Sequence, residues 1–323
     1  MDTRAITPVR LSLADVTFTG AGLMRPECVL STPAGTLYVS DRRGGVMEIR
    51  PDGAQTLIGE GNPLLPNGIA LRRDGSFAIA NLSEDGGVWR LARDGTCEPL
   101  LLEVDGQRLG SVNFVWIDAD ERLWVCVSTV RKGDHQFRKD IADGFIILSD
   151  ARGARIVADG ICWTNEVRID AAREWLYVNE TFGRRLTRFR LGADGSLSGR
   201  ETVTEFGTGT YPDGLELDVE GCLWVISVAS NRIIRVTPDG EQSVVLEDFD
   251  PAHVAELEEA YQAHRLSRPM IWDNHAKVLG NLTSIAFGGP DRRTLYLGCL
   301  SGDRLATFRA PVAGAPPPHW SWS

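Results

Sequence analysis

One pattern occurs six times along the chain, and this repeat limits what it can fold into more than any other feature. The copies are "RPECVLSTPAGTLYVSD" from Arg25, "LPNGIALRRDGSFAIAN" from Leu65, "SVNFVWIDADERLWVCV" from Ser111, "WTNEVRIDAAREWLYVNE" from Trp163, "TYPDGLELDVEGCLWV" from Thr210 and "LTSIAFGGPDRRTLYLGC" from Leu282. Each gives a polar residue, an alternating apolar strand, a tight turn, and a second strand with an aromatic residue near its start. Segments such as "GGVMEIRPDG" and "NRIIRVTPDG" add further strands between the copies. About four short strands in a unit of 40 to 50 residues make a β-propeller blade. The expectation is an all-β, six-bladed β-propeller with four-stranded blades, forming a single domain over residues 1–323. The early segment "VRLSLADVTFTG" is expected to pair with the late segment "DRLATFRAPV", closing the ring and removing an exposed edge.

The phase of the alternation identifies equivalent positions. Apolar residues sit two and four places after the polar one, as in Ile69 and Leu71 or Leu215 and Leu217, except in the first copy, where Val29 fits and Ser31 does not. The polar set is therefore Glu27, Asn67, Asn113, Asn165, Asp213 and Thr283, with Ser284 as a rival in the last copy. In a propeller the innermost strands line a central channel, so six such side chains should meet at one mouth. Asn and Asp also cap turns through their own backbone, but six polar residues in one phase are more than turn capping requires. Carboxylates with amide oxygens, and neither cysteine nor histidine, form a hard-oxygen environment suited to Ca²⁺, Mg²⁺ or Mn²⁺. Without a cation, Glu27 and Asp213 would repel one another. Glu166 is expected to point away from the axis in a structural role.

Two insertions stand out, at about 130–143 and 251–281. Both belong to connections on the face where inner strands begin, so both are expected to overhang the mouth like lids. The second carries an amphipathic helical pattern through Val254, Leu257 and Tyr261. His135, His264 and His275 fall in these insertions as candidate pocket residues.

Composition narrows the partners. The formal net charge is −10, with no run of Lys and Arg to meet a phosphate backbone or anionic lipid. No apolar segment is long enough for a signal sequence or membrane span. A soluble, cytoplasmic protein with no nucleic-acid or membrane partner is expected. The six scattered cysteines are expected to be reduced thiols. Oligomeric state is not readable.

At "RPECV", "TNEVRID", "YPDGLELDVEGCLWV" and "TSIAFGGPDRRTLYLGC" the chain resembles the gluconolactonase, senescence-marker-protein (regucalcin) and luciferin-regenerating-enzyme family of six-bladed propellers. The resemblance spans about residues 16 to 310. It implies that Glu27, Asn165 and Asp213, joined by Asn113, hold one divalent cation, Ca²⁺ first, with Mg²⁺, Mn²⁺ or Zn²⁺ as alternatives. It also implies that Asp213 is the base or nucleophile of a metal-dependent lactonase, a carboxylic ester hydrolase acting on a small-molecule lactone. Asn67, Thr283, Ser284 and His135 are the candidate substrate-binding residues. Relatives commonly place an arginine and an aspartate around the blade 3 asparagine, where this chain has Ser111 and Phe114. That departure points to a fairly apolar lactone. The segment "LYVNETFGRRLTRF" resembles metal-free strictosidine-synthase-like propellers, one alternative. A non-catalytic interaction scaffold is the other.

Overall fold

The computed structural model describes residues 6–133 and 136–322. Six four-stranded antiparallel sheets follow one another around an axis, and they are the six blades. Their inner strands are Val29–Ser31, Pro66–Leu71, Phe114–Ile117, Thr164–Ile169, Tyr211–Leu217 and Leu282–Gly288. Neighbouring inner strands pack on one another around the ring, blade 6 against blade 1 included. The sixth blade is completed by the N-terminal strand Thr17–Thr19, which pairs with Leu305–Arg309 in the register Thr17 to Thr307 and Thr19 to Leu305. Early and late chain thus share one sheet, as the repeat predicts, and no helix among the described residues is long and apolar enough to cross a membrane.

Blades 3 and 5 show how the turn after the inner strand is fixed. In "IDADERLW" and "LDVEGCLW" the aspartate accepts backbone N–H bonds across its own turn, from Asp120 and Arg122 to Asp118 and from Glu220 and Cys222 to Asp218. Its other oxygen accepts the indole N–H of the next strand's tryptophan, Trp124 or Trp224, at 2.9 Å in both blades. Both indoles are fully buried. One carboxylate therefore closes the turn and satisfies the polar atom of a large core side chain.

The inner strands are irregular where they begin. Register shifts fall between Pro66 and Ile69, Thr164 and Val167, Pro212 and Leu215, and Leu282 and Ser284, so the irregular stretches contain Asn67, Asn165, Asp213 and Thr283. Bulges of this kind re-aim side chains. The strands also come very close there. A Cβ on Gly214 would lie 2.4 Å from the Thr283 carbonyl oxygen, and one on Gly68 would lie 2.8 Å from the Phe114 Cα. Two places before the polar residue, Arg25, Trp163 and Asn281 take φ of 52°, 63° and 63°, left-handed backbone that bends the chain into the strand.

The insertion 251–281 forms helix α1, Pro251–Gln262, and a short helix α2, Arg268–Trp272. Asp250 caps α1 through the Ala252 N–H at 2.9 Å. The predicted face is buried through Val254, Leu257 and Tyr261, whereas His264 lies beyond the helix and reaches Asp140 of the other insertion at 3.7 Å. Tyr261 donates to the Phe182 carbonyl at 2.8 Å, and Arg184 pairs with Glu258 at 2.7 Å, which docks α1 onto blade 4.

On the opposite face the C-terminal segment crosses the channel. Ala315 N donates to the Leu217 carbonyl at 2.8 Å, His319 Nε2 donates to the Ser31 carbonyl at 2.9 Å, and Arg73 lies over the Trp322 ring. Only a void of about 30 Å³ remains there, lined in part by Cys28, Arg168, Glu216 and His319.

Replacing Gly214 by alanine is expected to destabilise the fold by about 1–3 kcal/mol, the usual cost of overpacking where only backbone can yield. Urea unfolding with an unchanged m-value is the check.

Candidate active site

A cavity of about 660 Å³ opens where the inner strands begin. Glu27, Asn67, Asn113, Asn165, Asp213 and Thr283 all line it, and all are at least nine-tenths buried. Ser284 does not line it. The last strand's turn directs Thr283 inward and leaves Ser284 between strands, its hydroxyl oxygen buried without a partner. His135 lies outside the described residues. His264 and His275 do not line the cavity; His275 stacks on His253 with ring centroids 3.8 Å apart.

The lining residues differ in their freedom to act. Asn67 is fully engaged: its amide nitrogen donates to Glu27 Oε1 at 2.9 Å and to the Asn113 carbonyl at 2.8 Å, while its oxygen accepts from Arg25 at 2.7 Å. It is a clamp on Glu27. Thr283 donates its hydroxyl to the Glu27 carbonyl at 2.8 Å, which ties blade 6 to blade 1. Asn165 donates to Thr181 Oγ1 at 3.0 Å, and Thr181 in turn donates to the Pro212 carbonyl at 2.7 Å. The amide oxygens of Asn113 and Asn165 are buried with no hydrogen-bond partner. Two orphaned amide oxygens in one cavity call for a positive or donating partner.

The electrostatics point the same way. Burial pushes the carboxyls of Glu27 and Asp213 well above the usual carboxylate range, and the charge of Glu27 raises Asp213 further. Arg25 pulls in the opposite direction at both, joined by the Asn67 hydrogen bond at Glu27 and the Asn165 hydrogen bond at Asp213, without offsetting burial. Among the described residues no three His, Cys, Asp or Glu side chains cluster to hold a metal. Here two carboxylates are supplemented by two amide oxygens, a set of hard oxygen donors that fits Ca²⁺, Mg²⁺ or Mn²⁺ better than Zn²⁺.

Beneath this set lies Glu166, and here the alternation argument fails. Its carboxylate accepts from Leu215 N at 3.1 Å and pairs with Arg168 at 3.1 Å. Burial first, with Glu27 adding, pushes it up to about 8, and its charge acts on Cys28 of blade 1 across the ring. It lies in the channel and not away from the axis, because the irregular stretch between Thr164 and Val167 breaks the simple alternation.

Phe114 also departs from expectation. It is buried at the far side of the inner strand, with Arg168 over its ring at 5.2 Å, and contributes nothing to the cavity's apolarity. The apolar wall comes from Leu82, Leu109, Phe137, Trp163, Phe182 and Trp272. Phe182 packs edge to face on Phe137 and on Trp163, with centroids 5.6 and 4.9 Å apart, and the latter two rings are tilted to each other at 5.2 Å. Both insertions line the cavity, the second through α2 and not through α1. Sequence reading missed a third overhang, the hairpin Glu103–Val104 and Gln107–Arg108 between blades 2 and 3, and it missed Arg25. The proximity of Arg25 to Glu27 in "RPE" was the available signal.

In the segment "VNETFGRR", Thr181 and Phe182 line the cavity, while Asn179 and Glu180 do structural work. Asn179 donates to the carbonyls of Asp213 and Gly214 at 2.9 and 3.1 Å. Glu180, fully buried, accepts from Cys162 N, Arg185, Thr187 and Arg200.

With this geometry in hand, comparison with known proteins is decisive on one point. Residues 25–247 match the model of the SMP-30/gluconolactonase/LRE-like region. The chain belongs to that family. It is 28% identical over 250 residues to the 6-deoxy-6-sulfogluconolactonase of Pseudomonas putida, covering 76% of this chain and 72% of that protein. Among solved structures it resembles a gluconolactonase of Xanthomonas campestris, with a TM-score of 0.68, 19% identity and coverage of 95% and 96%. A calcium-binding regucalcin of Agrobacterium tumefaciens gives 0.66, 19%, 92% and 96%. At such identities the two structures share the fold.

Asn179→Ala would leave two buried carbonyls beneath Asp213 without a donor. It is expected to cost about 1–3 kcal/mol, the penalty of unsatisfied buried groups, read by chemical denaturation.

Proposed function

We propose that this protein is a divalent-metal-dependent lactonase whose reacting centre is the cavity floor. The observation that carries the reading is the pair of orphaned amide oxygens, Asn113 Oδ1 and Asn165 Oδ1, beside two carboxylates that burial alone makes costly to ionise. Glu27, Asn113, Asn165 and Asp213 would hold one divalent cation, Ca²⁺ first, which when bound supplies Lewis-acid polarisation of a lactone carbonyl. The lactonase named above as a relative supports the substrate class, and the regucalcin neighbour supports the choice of ion.

The chain's own residues account for the rest. Asp213 is the base: it takes a proton from the attacking water, whose oxygen bonds to the carbonyl carbon. The ring C–O bond then breaks, the ring oxygen receives that proton, and a hydroxy acid leaves. Asn179 fixes the backbone of Asp213, so its carboxylate is aimed without rotating the strand. Asn67 and Thr283 hold Glu27 from its side chain and its carbonyl; their role is positioning. The wall of Phe137, Trp163 and Phe182 keeps bulk water from the centre and suits a lactone with an apolar face. All six cysteines are free thiols, in keeping with a cytoplasmic setting.

Ca²⁺ at saturating concentration is expected to raise the melting temperature of the wild-type protein, as any ligand selective for the native state does, and to leave Asp213→Asn almost unmoved. Against a panel of aliphatic, aromatic and sugar lactones with added metal, Asp213→Asn is expected to lose turnover by at least about 10²-fold while keeping its circular dichroism. Retained turnover would remove Asp213 from the role of base; wild-type protein with no ion-dependent stabilisation would remove the metal.

A further inference from the structure

The cavity carries positive charge that the proposed chemistry does not use. The whole chain has a formal net charge of −10, yet Arg25, Arg108, Arg131, Lys132 and Arg268 all line this one cavity. Among the described residues the acidic groups of the lining are Glu27, Asp213 and Glu84. In the reading above, the first two are the cation's counter-charges, so among the described lining residues the basic groups outnumber the remaining acidic one, Glu84. Arg131 is held by Asp143 at 3.1 Å. Arg108 and Lys132 are exposed and make no ion pair among the described residues.

These cations come from different parts of the ring. Arg108 sits on the hairpin between blades 2 and 3, Lys132 on the blade 3 insertion, Arg268 at the start of α2, and Arg25 at the entry to blade 1. Trp272 binds two of them together: the Arg268 guanidinium lies 4.7 Å and that of Arg25 5.5 Å from its ring centroid. The two are close enough for the charge of Arg268 to act on Arg25. Gathering like charges around an opening in an acidic chain is unfavourable unless an anion comes to rest there, and it draws anions in from solution. Guanidinium groups suit an oxyanion because their planar donors can engage two of its oxygens.

We propose that the mouth of this cavity is a subsite for an oxyanion substituent, a carboxylate, sulfonate or phosphate, carried by the lactone in addition to its ring ester. Arg268, Arg108 and Lys132 contact it, and Arg25 with Trp272 forms its inner edge. The proposal rests on the lactonase reading for its substrate, but its charge argument can be tested without turnover.

Matched lactones isolate the charge. The acid 5-oxotetrahydrofuran-2-carboxylate is compared with its neutral carboxamide, and 6-phospho- and 6-deoxy-6-sulfoglucono-δ-lactone with glucono-δ-lactone; the three charged members tell carboxylate, phosphate and sulfonate apart. At least one charged member is expected to exceed its neutral partner in kcat/KM by roughly tenfold or more, the size of one charge-assisted hydrogen bond. The advantage should shrink as salt rises, collapse toward one in Arg108→Ala/Arg268→Ala, and largely return in Arg108→Lys/Arg268→Lys. Melting temperatures verify that these exposed replacements fold. Equal kcat/KM for charged and neutral partners in wild type, or a preference that survives the double alanine replacement, overturns the subsite. If no lactone is opened, the lactonase reading fails by itself, and calorimetry with the same acid and carboxamide decides the subsite: tighter binding of the acid that the double alanine variant loses sustains it, and equal binding overturns it.

Discussion

Six strands that begin around one narrow axis leave no room for ordinary side chains at their closest approaches, and much of the site follows from this crowding. At Gly68 and Gly214 the neighbouring strand's backbone occupies the space a methyl group would need. The irregular stretches that accommodate this approach contain Asn67, Asn165, Asp213 and Thr283, so the stretches that relieve the packing are also those that turn polar groups inward. Convergence of the polar set is therefore a packing consequence before it is a chemical one.

That convergence carries an electrostatic cost. Glu27 and Asp213 are desolvated beside one another, and the attraction of Arg25 does not offset their burial. The surrounding scaffold holds the arrangement in place: Asn67 and Thr283 grip Glu27, Asn179 grips the strand under Asp213, and the Asp–Trp pairs stiffen the turns of blades 3 and 5. A site held rigid by neutral hydrogen bonds keeps its charges close without relying on their mutual attraction.

The sequence showed the ring, the number of blades and the partner of the first strand, because each depends on periodicity and on which edges need covering. The set of inward positions was legible for the same reason. What each residue does there was not. Asn67 and Asn113 look alike in the repeat, yet one amide is saturated by Arg25 and Glu27 while the other keeps a free oxygen, a difference made by a side chain some forty residues away. Glu166 was misplaced because alternation holds only in regular strand. Phe114 was read as a pocket residue from its neighbour's role, but its register turns it to the core. The basic mouth is built from three loops and a short helix, whose relative placement no local pattern encodes.

The crossing of the C-terminal segment has a kinetic meaning. With His319 seated against Ser31 and the lower channel nearly filled, the propeller is a well and not a tunnel. Whatever enters must turn around and leave past the same insertions, so a product still in the well blocks the next substrate. Departure of one occupant then competes directly with entry of the next, and the loops at the rim govern both the filling and the emptying of the site.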